Sequence, residues 1–280
     1  MSAPLVYIII LNWNGRDMLL DCLESLRKIT YPNANVLVVD NGSTDDSVIS
    51  IKAKFPNVEL LQLPSNLGYA KGNNSGFEFV KNIKPDFIIF LNNDTLVDPG
   101  FIEPLIQPLI DDSNVGQTVP KIFYADDPER IWFGGSYINL WLGIIRHEGI
   151  RKKDHPDYNK IKEVAYATGC CMCIRAVDFE KLGGFDESFS MYAEDADLSL
   201  RIQEEGKKVM FTPDSKVWHK VSASIGGVFS FKKTFKKETS NIVLIKKHGT
   251  LYKFIFSILF WPVRLIYFTF QYLKLRIGHS

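Results

Sequence analysis

The sequence has no excess charge of either sign, few cysteines and no long uninterrupted apolar run. Its 280 residues include 33 Lys and Arg against 32 Asp and Glu, so the net charge of +1 gives no argument for nucleic acid as a partner. Four cysteines are too few for a disulfide framework in a chain of this length. Three of them crowd into GCCMC, without the paired C-x-x-C motifs of a zinc site. We therefore expect reduced thiols and a cytoplasmic protein.

Several targeting and phosphate-binding motifs are also missing. The N-terminal stretch MSAPLVYIIILNWNG has no basic region and no small-residue cleavage site, and its apolar run is short, so we do not interpret it as a signal peptide. Neither GxxxxGK[ST] nor GxGxxG occurs. The remaining composition, 46% hydrophobic and 23% charged, is typical of a globular chain with one large domain or two small ones.

The first hundred residues alternate between short apolar runs and stretches with helical spacing. Such alternation predicts crossover units and a mostly parallel sheet flanked by helices, an α/β fold. The runs are almost continuously apolar, as expected when helices cover both faces of the sheet. The predicted strands are Leu5–Leu11, Asn35–Val39, Val58–Leu61 and Asp86–Leu91.

The pattern becomes looser after Pro99. We predict a helix over Phe101–Ile110 and a strand over Asn114–Tyr124, followed by irregular loops or a small antiparallel insertion at 125–163. A helix at Ala196–Glu205 and two short strands, the second ending in His219, complete this part.

The C-terminal segment is basic and rich in aromatic residues. Its longest uncharged run, Phe254 to Val263, has ten residues, whereas a membrane span needs roughly 20. An interfacial helix or a shallow re-entrant hairpin fits better, with nearby lysines meeting anionic headgroups. A helix packed on its own domain and a dimer contact are the alternatives. We expect an α/β domain over 1–228 and a membrane-associated helical segment over 229–280, with these lysines: Lys232, Lys233, Lys236, Lys237, Lys246 and Lys247.

Polar residues follow two of the predicted strands. Asp40 ends one strand, and the triplet Asn92-Asn93-Asp94 ends another. Open α/β sheets bind ligands beyond the carboxyl ends of their strands, although Asn and Asp are also common in turns. Asp40 there can accept a hydrogen bond from a pyrimidine ring or a ribose. Asp94 can hold Mg²⁺ or Mn²⁺ on a nucleotide diphosphate, and Asn92 can reach the ribose.

Three further segments carry candidate site residues. In NLGYAKGNNSG, Gly68 and Gly72 permit close backbone approach to a ligand, but a helix N-terminus built from small residues is the simpler interpretation. Glu194, Asp195 and Asp197 sit where a loop enters a helix, which favours either capping or a general base whose pKa the helix terminus lowers. His219 follows a strand and can join Asp94 in a Mn²⁺ site. We assign no role to the other four histidines, His147, His155, His248 and His279.

The order of these segments resembles that of the family 2 glycosyltransferases, particularly a rhamnosyltransferase-like branch. The resemblance covers about residues 4–225 and runs through IIILNWNG, VVDNGSTD, NLGYAKGNNSG, FLNNDT, ATGCCMCIR, GGFDESFSMYAEDADLSLR and VWH. It implies a GT-A fold and an inverting, metal-dependent transfer from a nucleotide-diphospho-sugar, dTDP-rhamnose or a UDP-sugar. The implied acceptor is a hydroxyl of a glycan or lipid-linked saccharide in cell-surface polysaccharide synthesis, at the inner face of the cell membrane.

The resemblance also implies roles for individual residues. Asp195 matches the catalytic base, beside Glu194, while Asp94 and His219 match the metal ligands for Mn²⁺ or Mg²⁺. The triplet departs from the family's DxD motif because Asn92 replaces the first acid, so we expect weak metal binding without nucleotide. The implied substrate-binding residues are Asn12, Asp40, Asn41, Asn66, Gly68, Lys71, Asn92, Asn93, Thr168, Gly169 and Asp197.

Two other functions remain as alternatives. A sugar-nucleotide nucleotidyltransferase shares the α/β layout, but it normally has a basic, Gly-rich loop near the N-terminus, where ILNWNGRD offers only Arg16. A non-catalytic module that binds nucleotide sugars or carbohydrates is the second alternative, and the three acids Glu194, Asp195 and Asp197 argue against it.

Overall fold

A computed structural model of the chain describes residues 3–189, 191–221 and 231–264. Ten of its strands form one mixed sheet, and two more form a separate hairpin. The strands are β1 (Val6–Asn12), β2 (Ala34–Asp40), β3 (Glu59–Gln62), β4 (Phe87–Asn92), β5 (Thr95–Val97), β6 (Val115–Tyr124), β7 (Ile131–Phe133), β8 (Ser136–Asn139), β9 (Ile144–His147), β10 (Lys162–Glu163), β11 (Cys171–Arg175) and β12 (Lys208–His219). The α-helices are α1 (Arg16–Leu26), α2 (Ser47–Lys54), α3 (Tyr69–Val80), α4 (Ile102–Asp111), α5 (Ala176–Lys181), α6 (Glu194–Glu204), α7 (Phe231–His248) and α8 (Leu251–Leu259).

The N-terminal half is the parallel sheet that the sequence predicts. β1 lies between β2 and β4 and is parallel to both, and β3 extends the sheet beyond β2. The apolar side chains of β1 from Val6 to Ile10 are buried, since α1 and α3 both pack against this part of the molecule. All four predicted strands are confirmed to within two residues at each end.

The second half continues the sheet with antiparallel pairs. β11 runs antiparallel to its neighbours β4 and β6, whereas β12 runs parallel to β6. The two short strands expected between Lys208 and His219 are one strand, β12, whose register shifts between Thr212 and Lys216. Pro213 lies within the shift, and proline is tolerated there because it cannot donate a ladder hydrogen bond.

The small antiparallel insertion predicted at 125–163 is present. β7 pairs with β6 of the main sheet, and β8 and β9 form the separate hairpin. A second hydrophobic cluster joins this hairpin to the helices beyond it. Ile138 and Ile145 of the hairpin pack against a cluster that includes Ala196 of α6 and Leu244 of α7.

The C-terminal helices contact the rest of the chain on one side only. Leu244 and Ile245 of α7 are fully buried, and Arg264 pairs with Glu238 of α7 and donates to the carbonyl of Leu142 in the hairpin. Among the residues that the structure describes, none of the helices has the length and apolar character that a bilayer crossing requires. The predicted boundary at residue 228 lies outside the described residues.

Candidate active site

Three parallel strands end side by side in polar residues. Asn12 of β1 is in register with Asp40 of β2, and Leu11 is in register with Asn92 of β4. Their carboxyl ends therefore form one edge of the sheet, as the strand-end rule predicts. This edge brings together the residues that the sequence assigns to the nucleotide.

A hydrogen-bond network fixes the side chains at this edge. The amide of the fully buried Asn12 donates to Oδ1 of Asp40 at 3.4 Å, and the amide of Asn93 donates to Oδ1 of Asn12 at 2.7 Å. The backbone N–H of Ser43 donates to Oδ2 of Asp40 at 3.1 Å. A Cβ at position 15 would collide with the amide of Asn93, so Gly15 is what lets this network close.

Asn41 and Asn66, which follow β2 and β3, form hydrogen bonds with each other and with nearby backbone. Asn41 is buried, donates to the side chain of Asn66 at 3.0 Å and accepts from the backbone of Leu67 at 2.8 Å. Gly68 precedes α3 with a φ of 84°, which favours glycine. Lys71 is exposed on α3 and lies 3.8 Å from Glu187. Asn41 and Asn66 therefore shape the wall beside Asp40 from within the loop.

Asp94 and His219 form a buried pair at the other end of the same edge. Both are 8% exposed, and Oδ1 of Asp94 lies 3.1 Å from Nε2 of His219. This contact does not have hydrogen-bond geometry, so Oδ1 of Asp94 has no hydrogen-bond partner among the described residues. The other ring nitrogen of His219, Nδ1, also has none there. The unpartnered Asp94 oxygen and the Nε2 nitrogen beside it are ligand types that suit Mn²⁺.

Trp132, an aromatic residue with no role predicted from the sequence, supports this pair. The Trp132 ring of β7 packs edge-on against the rings of His219 and His147, each with a centroid separation of 4.5 Å. Among the described residues, no group of three or more His, Cys, Asp or Glu side chains could hold a metal ion. Asp94 and His219 thus fit a cation whose remaining ligands come from elsewhere, such as a diphosphate.

Asp195 lies in the first turn of α6 and faces a tight loop. Its Oδ2 accepts from the backbone N–H of Gly169 at 2.8 Å, and Oδ1 accepts from the N–H of Ala196 at 2.8 Å. The hydroxyl of Tyr69 donates to the Gly169 carbonyl at 2.7 Å. A Cβ at position 169 would lie 2.9 Å from that hydroxyl and 3.6 Å from Oδ2 of Asp195, so a larger residue would disturb the contact.

The pairing of β4 and β11 places this loop at the same edge as the metal candidates. The backbone N–H of Asn92 donates to the carbonyl of Cys170 at 2.9 Å. Gly169 therefore lies next to the Asn92–Asp94 turn, and so does the Asp195 carboxylate that it holds. Thr168, also predicted in the site, is buried beside it. The cation candidate and the base candidate share one edge of the sheet.

The predicted lowering of the pKa is wrong for the candidate base Asp195, and the pKa of its neighbour Glu194 is raised as well. Burial raises the pKa of Asp195, although the N–H groups of Gly169 and Ala196 act in the opposite direction. Burial, followed by the charge of Asp195, raises the pKa of Glu194 to about 8. Oε2 of Glu194 is buried with no hydrogen-bond partner among the described residues. Desolvation thus outweighs the helix terminus at both carboxyls.

The structure also corrects the substrate-binding role predicted for Asp197. Its side chain is fully buried and contacts Arg201, Lys247 and His248 at 2.7–2.8 Å. It therefore cannot contact a substrate, and His248, to which the sequence analysis gave no role, is one of its partners. Lys247 pairs with Asp186 and Asp197, so it does not extend freely toward lipid headgroups. The sequence offered no local signal for the contacts with Lys247 and His248, because these partners lie about 50 residues from Asp197.

Known structures with the same architecture carry nucleotides and Mn²⁺. GalNAc-T7, solved with UDP, GalNAc and Mn²⁺, aligns at a TM-score of 0.70 and 19% identity over 89% of this chain and 49% of its own. The mannosyltransferase PcManGT from Pyrobaculum calidifontis, solved with GDP-Man and Mn²⁺, aligns at 0.61 and 16% identity over 89% of this chain and 66% of its own. These likenesses identify the fold as GT-A.

Sequence comparisons give the family. An N-acetylglucosaminyl-diphospho-decaprenol L-rhamnosyltransferase of Mycobacterium tuberculosis is 29% identical over 232 residues, 73% of this chain and 72% of its own. The O-antigen biosynthesis protein RfbC of Myxococcus xanthus is 27% identical over 80% of this chain, which spans 18% of that protein. The profile described as Glycosyl transferase family 2 matches residues 7–183, more than half of the sequence. Because this profile covers more than half of the sequence, the chain belongs to the family 2 glycosyltransferases.

Proposed function

We propose that the protein moves a sugar from a nucleotide-diphospho-sugar to a hydroxyl of a lipid-linked saccharide, with inversion at the anomeric carbon. The observation that carries the proposal is the shared sheet edge: Asp94 and His219 lie at one side of it, and Asp195 is held by Gly169 at the other. A donor diphosphate bound at the first pair would direct its sugar toward the second site.

In the proposed reaction Asp195 is the general base. The acceptor oxygen forms a bond to the anomeric carbon while the bond from that carbon to the diphosphate oxygen breaks. The nucleoside diphosphate leaves with the bonding electrons, and the acceptor proton moves to Asp195. A single displacement of this kind inverts the anomeric configuration. Because burial raises the pKa of Asp195, the carboxylate is a stronger base than an ordinary aspartate.

Asp94 and His219 are the residues that would hold the divalent cation, Mn²⁺ or Mg²⁺. When bound, such a cation offsets the negative charge that develops on a departing diphosphate. The buried Oδ1 of Asp94 supports this assignment, because it has no hydrogen-bond partner among the described residues and lies 3.1 Å from Nε2 of His219. Asn92, next to this pair, adds no charge, so metal binding in the absence of nucleotide is expected to be weak.

Asp40 and Asn12 are proposed to receive the nucleobase. Asp40 has lone pairs left to accept the ring N–H of thymine or uracil, because Asn12 and Ser43 each use only one. Trp13 is 52% exposed directly after Asn12, and its indole offers a flat surface for stacking on a base. The rhamnosyltransferase relative favours a thymidine donor, dTDP-rhamnose, over a UDP-sugar.

The acceptor is proposed to be a saccharide on a lipid diphosphate, reached at the inner surface of the cell membrane. The relative from Mycobacterium tuberculosis is named for such an acceptor. The C-terminal helix α8 supports this choice because it exposes an apolar surface beside Trp141 of the hairpin, and Lys253 lies over that indole. The exposed apolar residues are Leu251, Tyr252, Ile255, Phe256, Ile258, Leu259, Phe260 and Val263.

A donor screen tests this function directly. Purified protein is incubated with Mn²⁺, a short-chain lipid-diphosphate N-acetylglucosamine acceptor and each of dTDP-rhamnose, UDP-sugars and GDP-sugars, and released nucleoside diphosphate is measured. We expect release from one donor that depends on the acceptor and is lost in Asp195→Asn. A binding module would bind donor without product, and a nucleotidyltransferase would release pyrophosphate from a nucleoside triphosphate and a sugar phosphate. Either result would contradict the proposal.

A further inference from the structure

The carboxylate of Asp197 joins the helix that carries Asp195 to the C-terminal end of α7. Oδ2 of Asp197 accepts from Arg201 at 2.8 Å, within α6. Oδ1 contacts Nζ of Lys247 at 2.7 Å and Nε2 of His248 at 2.8 Å. We call Asp197, Lys247 and His248 the α7 clamp. A fully buried carboxylate with these cationic partners links two elements that are distant in the sequence.

His248 completes the clamp as an imidazolium. Its Nε2 faces Asp197 and its Nδ1 lies 2.7 Å from Oε1 of Glu204. A neutral imidazole can donate from only one nitrogen, so two carboxylate partners require both nitrogens to be protonated. Burial lowers the pKa of His248, but the hydrogen bonds to Asp197 and Glu204 outweigh it and the net pKa is raised. The geometry and the charges agree on a positively charged ring.

Helix α7 also contacts the loop that precedes Asp195. Nζ of Lys247 lies 2.6 Å from Oδ2 of Asp186, and the hydroxyl of Ser240 donates to the carbonyl of Met191 at 2.7 Å. The next two residues, Tyr192 and Ala193, have φ values of 70° and 68°. Non-glycine residues adopt this conformation at a cost, and it persists only where the surroundings enforce it. Of the two contacts from α7, the one from Ser240 holds the residue directly before this pair.

Asp195 and Asp197 point away from each other. Residues two positions apart on a helix do not share a face, which is why Asp195 reaches Gly169 while Asp197 reaches α7. The α7 clamp therefore contacts the first turn of α6 on the side of the helix that faces away from the Asp195 carboxylate. We propose that the clamp is a positioning device that fixes Asp195 against the acceptor hydroxyl, which makes Lys247 and His248 positioning residues for the transfer. This inference rests on the proposed role of Asp195 as the base.

Two substitutions test the clamp and still leave Asp197 with cationic partners. Lys247→Met and His248→Gln each remove one cation and leave Arg201 and the other partner in place. Lys246→Met is the matched control, since Lys246 is the adjacent lysine of α7 and is exposed. With a water-soluble acceptor, we expect kcat to fall about 10-fold to 100-fold in the two clamp variants, because small misplacement of a catalytic group has effects of this size. The donor KM and the affinity for nucleotide with Mn²⁺ should stay at the parental values.

Hydrogen exchange of the peptide covering 191–198 provides a readout that needs no turnover. We expect faster exchange there in Lys247→Met and His248→Gln than in Lys246→Met, measured without substrate at one pH. Unchanged exchange together with unchanged kcat would overturn the clamp, and so would a parallel loss of donor affinity. Absence of sugar transfer in the parent would count against the proposed function, while the exchange result would still decide whether α7 restrains this turn.

The pH profile separates positioning from a general packing role. His248 contacts Asp197 and Glu204 of α6. Arg201 of α6 pairs with the same Asp197, and the adjacent Lys247 contacts Asp197 and Asp186. Because the folded pKa of His248 is raised, its contribution is complete below its ordinary value of 6.5 and is lost as pH rises through the raised value. We expect kcat of the parent to fall on this alkaline side and His248→Gln to lack that limb. The same alkaline fall in His248→Gln would overturn the assignment.

Discussion

The proposed donor side and the proposed base side of the candidate active site are built in different ways. On the donor side, Asn12, Asp40 and Asn92 end three adjacent parallel strands, so the sheet itself brings them together. On the base side, Asp195 depends on a loop at Gly169 and on a helix whose first turn is held by α7. The positions of Asn12, Asp40 and Asn92 follow from strand order. The position of Asp195 follows from side-chain contacts between distant segments.

This difference predicts which substitutions should change donor affinity and which should change turnover. A change at the sheet edge removes a ligand for the nucleotide or the cation and leaves the backbone of the parallel strands intact. A change on the proposed base side can alter turnover without removing a proposed donor contact, because the α7 clamp contacts α6 and not the ends of the parallel strands. Donor affinity and turnover should therefore respond separately to substitutions on the two sides.

The largest effect is expected on turnover at the base. Asp195→Asn keeps the shape and the hydrogen-bond acceptor toward Gly169 but cannot take a proton. General-base assistance typically gives 10²–10⁴-fold, so kcat should fall by about that factor. Nucleotide affinity with Mn²⁺, measured by calorimetry, should change little. A parental rate in this variant would exclude Asp195 as the base.

The next effect is expected on binding at the donor side. Asp94→Ala removes the carboxylate of the proposed cation pair, and loss of even an outer partner of a metal ligand costs about 10–100-fold in affinity. We expect calorimetry to show loss of the Mn²⁺-dependent part of nucleoside diphosphate binding by about 100-fold or more. Asp195→Asn serves as the control from the other side. Unchanged Mn²⁺-dependent binding in Asp94→Ala would remove Asp94 from the site.

A smaller effect concerns the membrane and should spare both sides. Ile255 of α8 and Ile110 of α4 are each 48% exposed, so Ile255→Asp and Ile110→Asp form a matched pair. Burial of an isoleucine side chain contributes about 1.5–3 kcal/mol. Ile255→Asp should therefore weaken binding to anionic vesicles about 10-fold or more in a sedimentation assay, while Ile110→Asp does not. Equal vesicle binding by both variants would argue for a protein contact at α8. Turnover on a water-soluble acceptor should stay at the parental value in both.

The last effect is a change in the pH dependence of stability on the base side. Burial raises the pKa of Glu194 from its ordinary value of 4.5 to about 8, so ionisation is disfavoured in the folded chain. The parent should lose stability as pH rises between these values. Glu194→Gln carries no charge, and its Tm should fall less over this range in thermal melts. Parallel Tm curves for parent and variant would contradict the assigned burial of Glu194.

The donor side was largely predictable from the sequence because apolar runs locate the strands and parallel strands share an edge. Asp40, Asn92 and Asp94 needed only these two rules. The pKa shift at Asp195 could not be predicted in the same way, because the helix terminus is visible in the sequence whereas the burial that outweighs it is not. The clamp could not be predicted from the sequence either, because Asp197 and His248 meet only through the packing of α7 on α6.

A crystal structure with Mn²⁺ and a nucleoside diphosphate, using the anomalous signal of the metal, tests most directly whether the cation and the nucleotide bind at this shared sheet edge. The account predicts one Mn²⁺ bound by Asp94 and a ring nitrogen of His219, with its phosphate ligands on the side that Asp195 faces. A metal held by other residues, or a nucleotide bound away from this edge of the sheet, would contradict it.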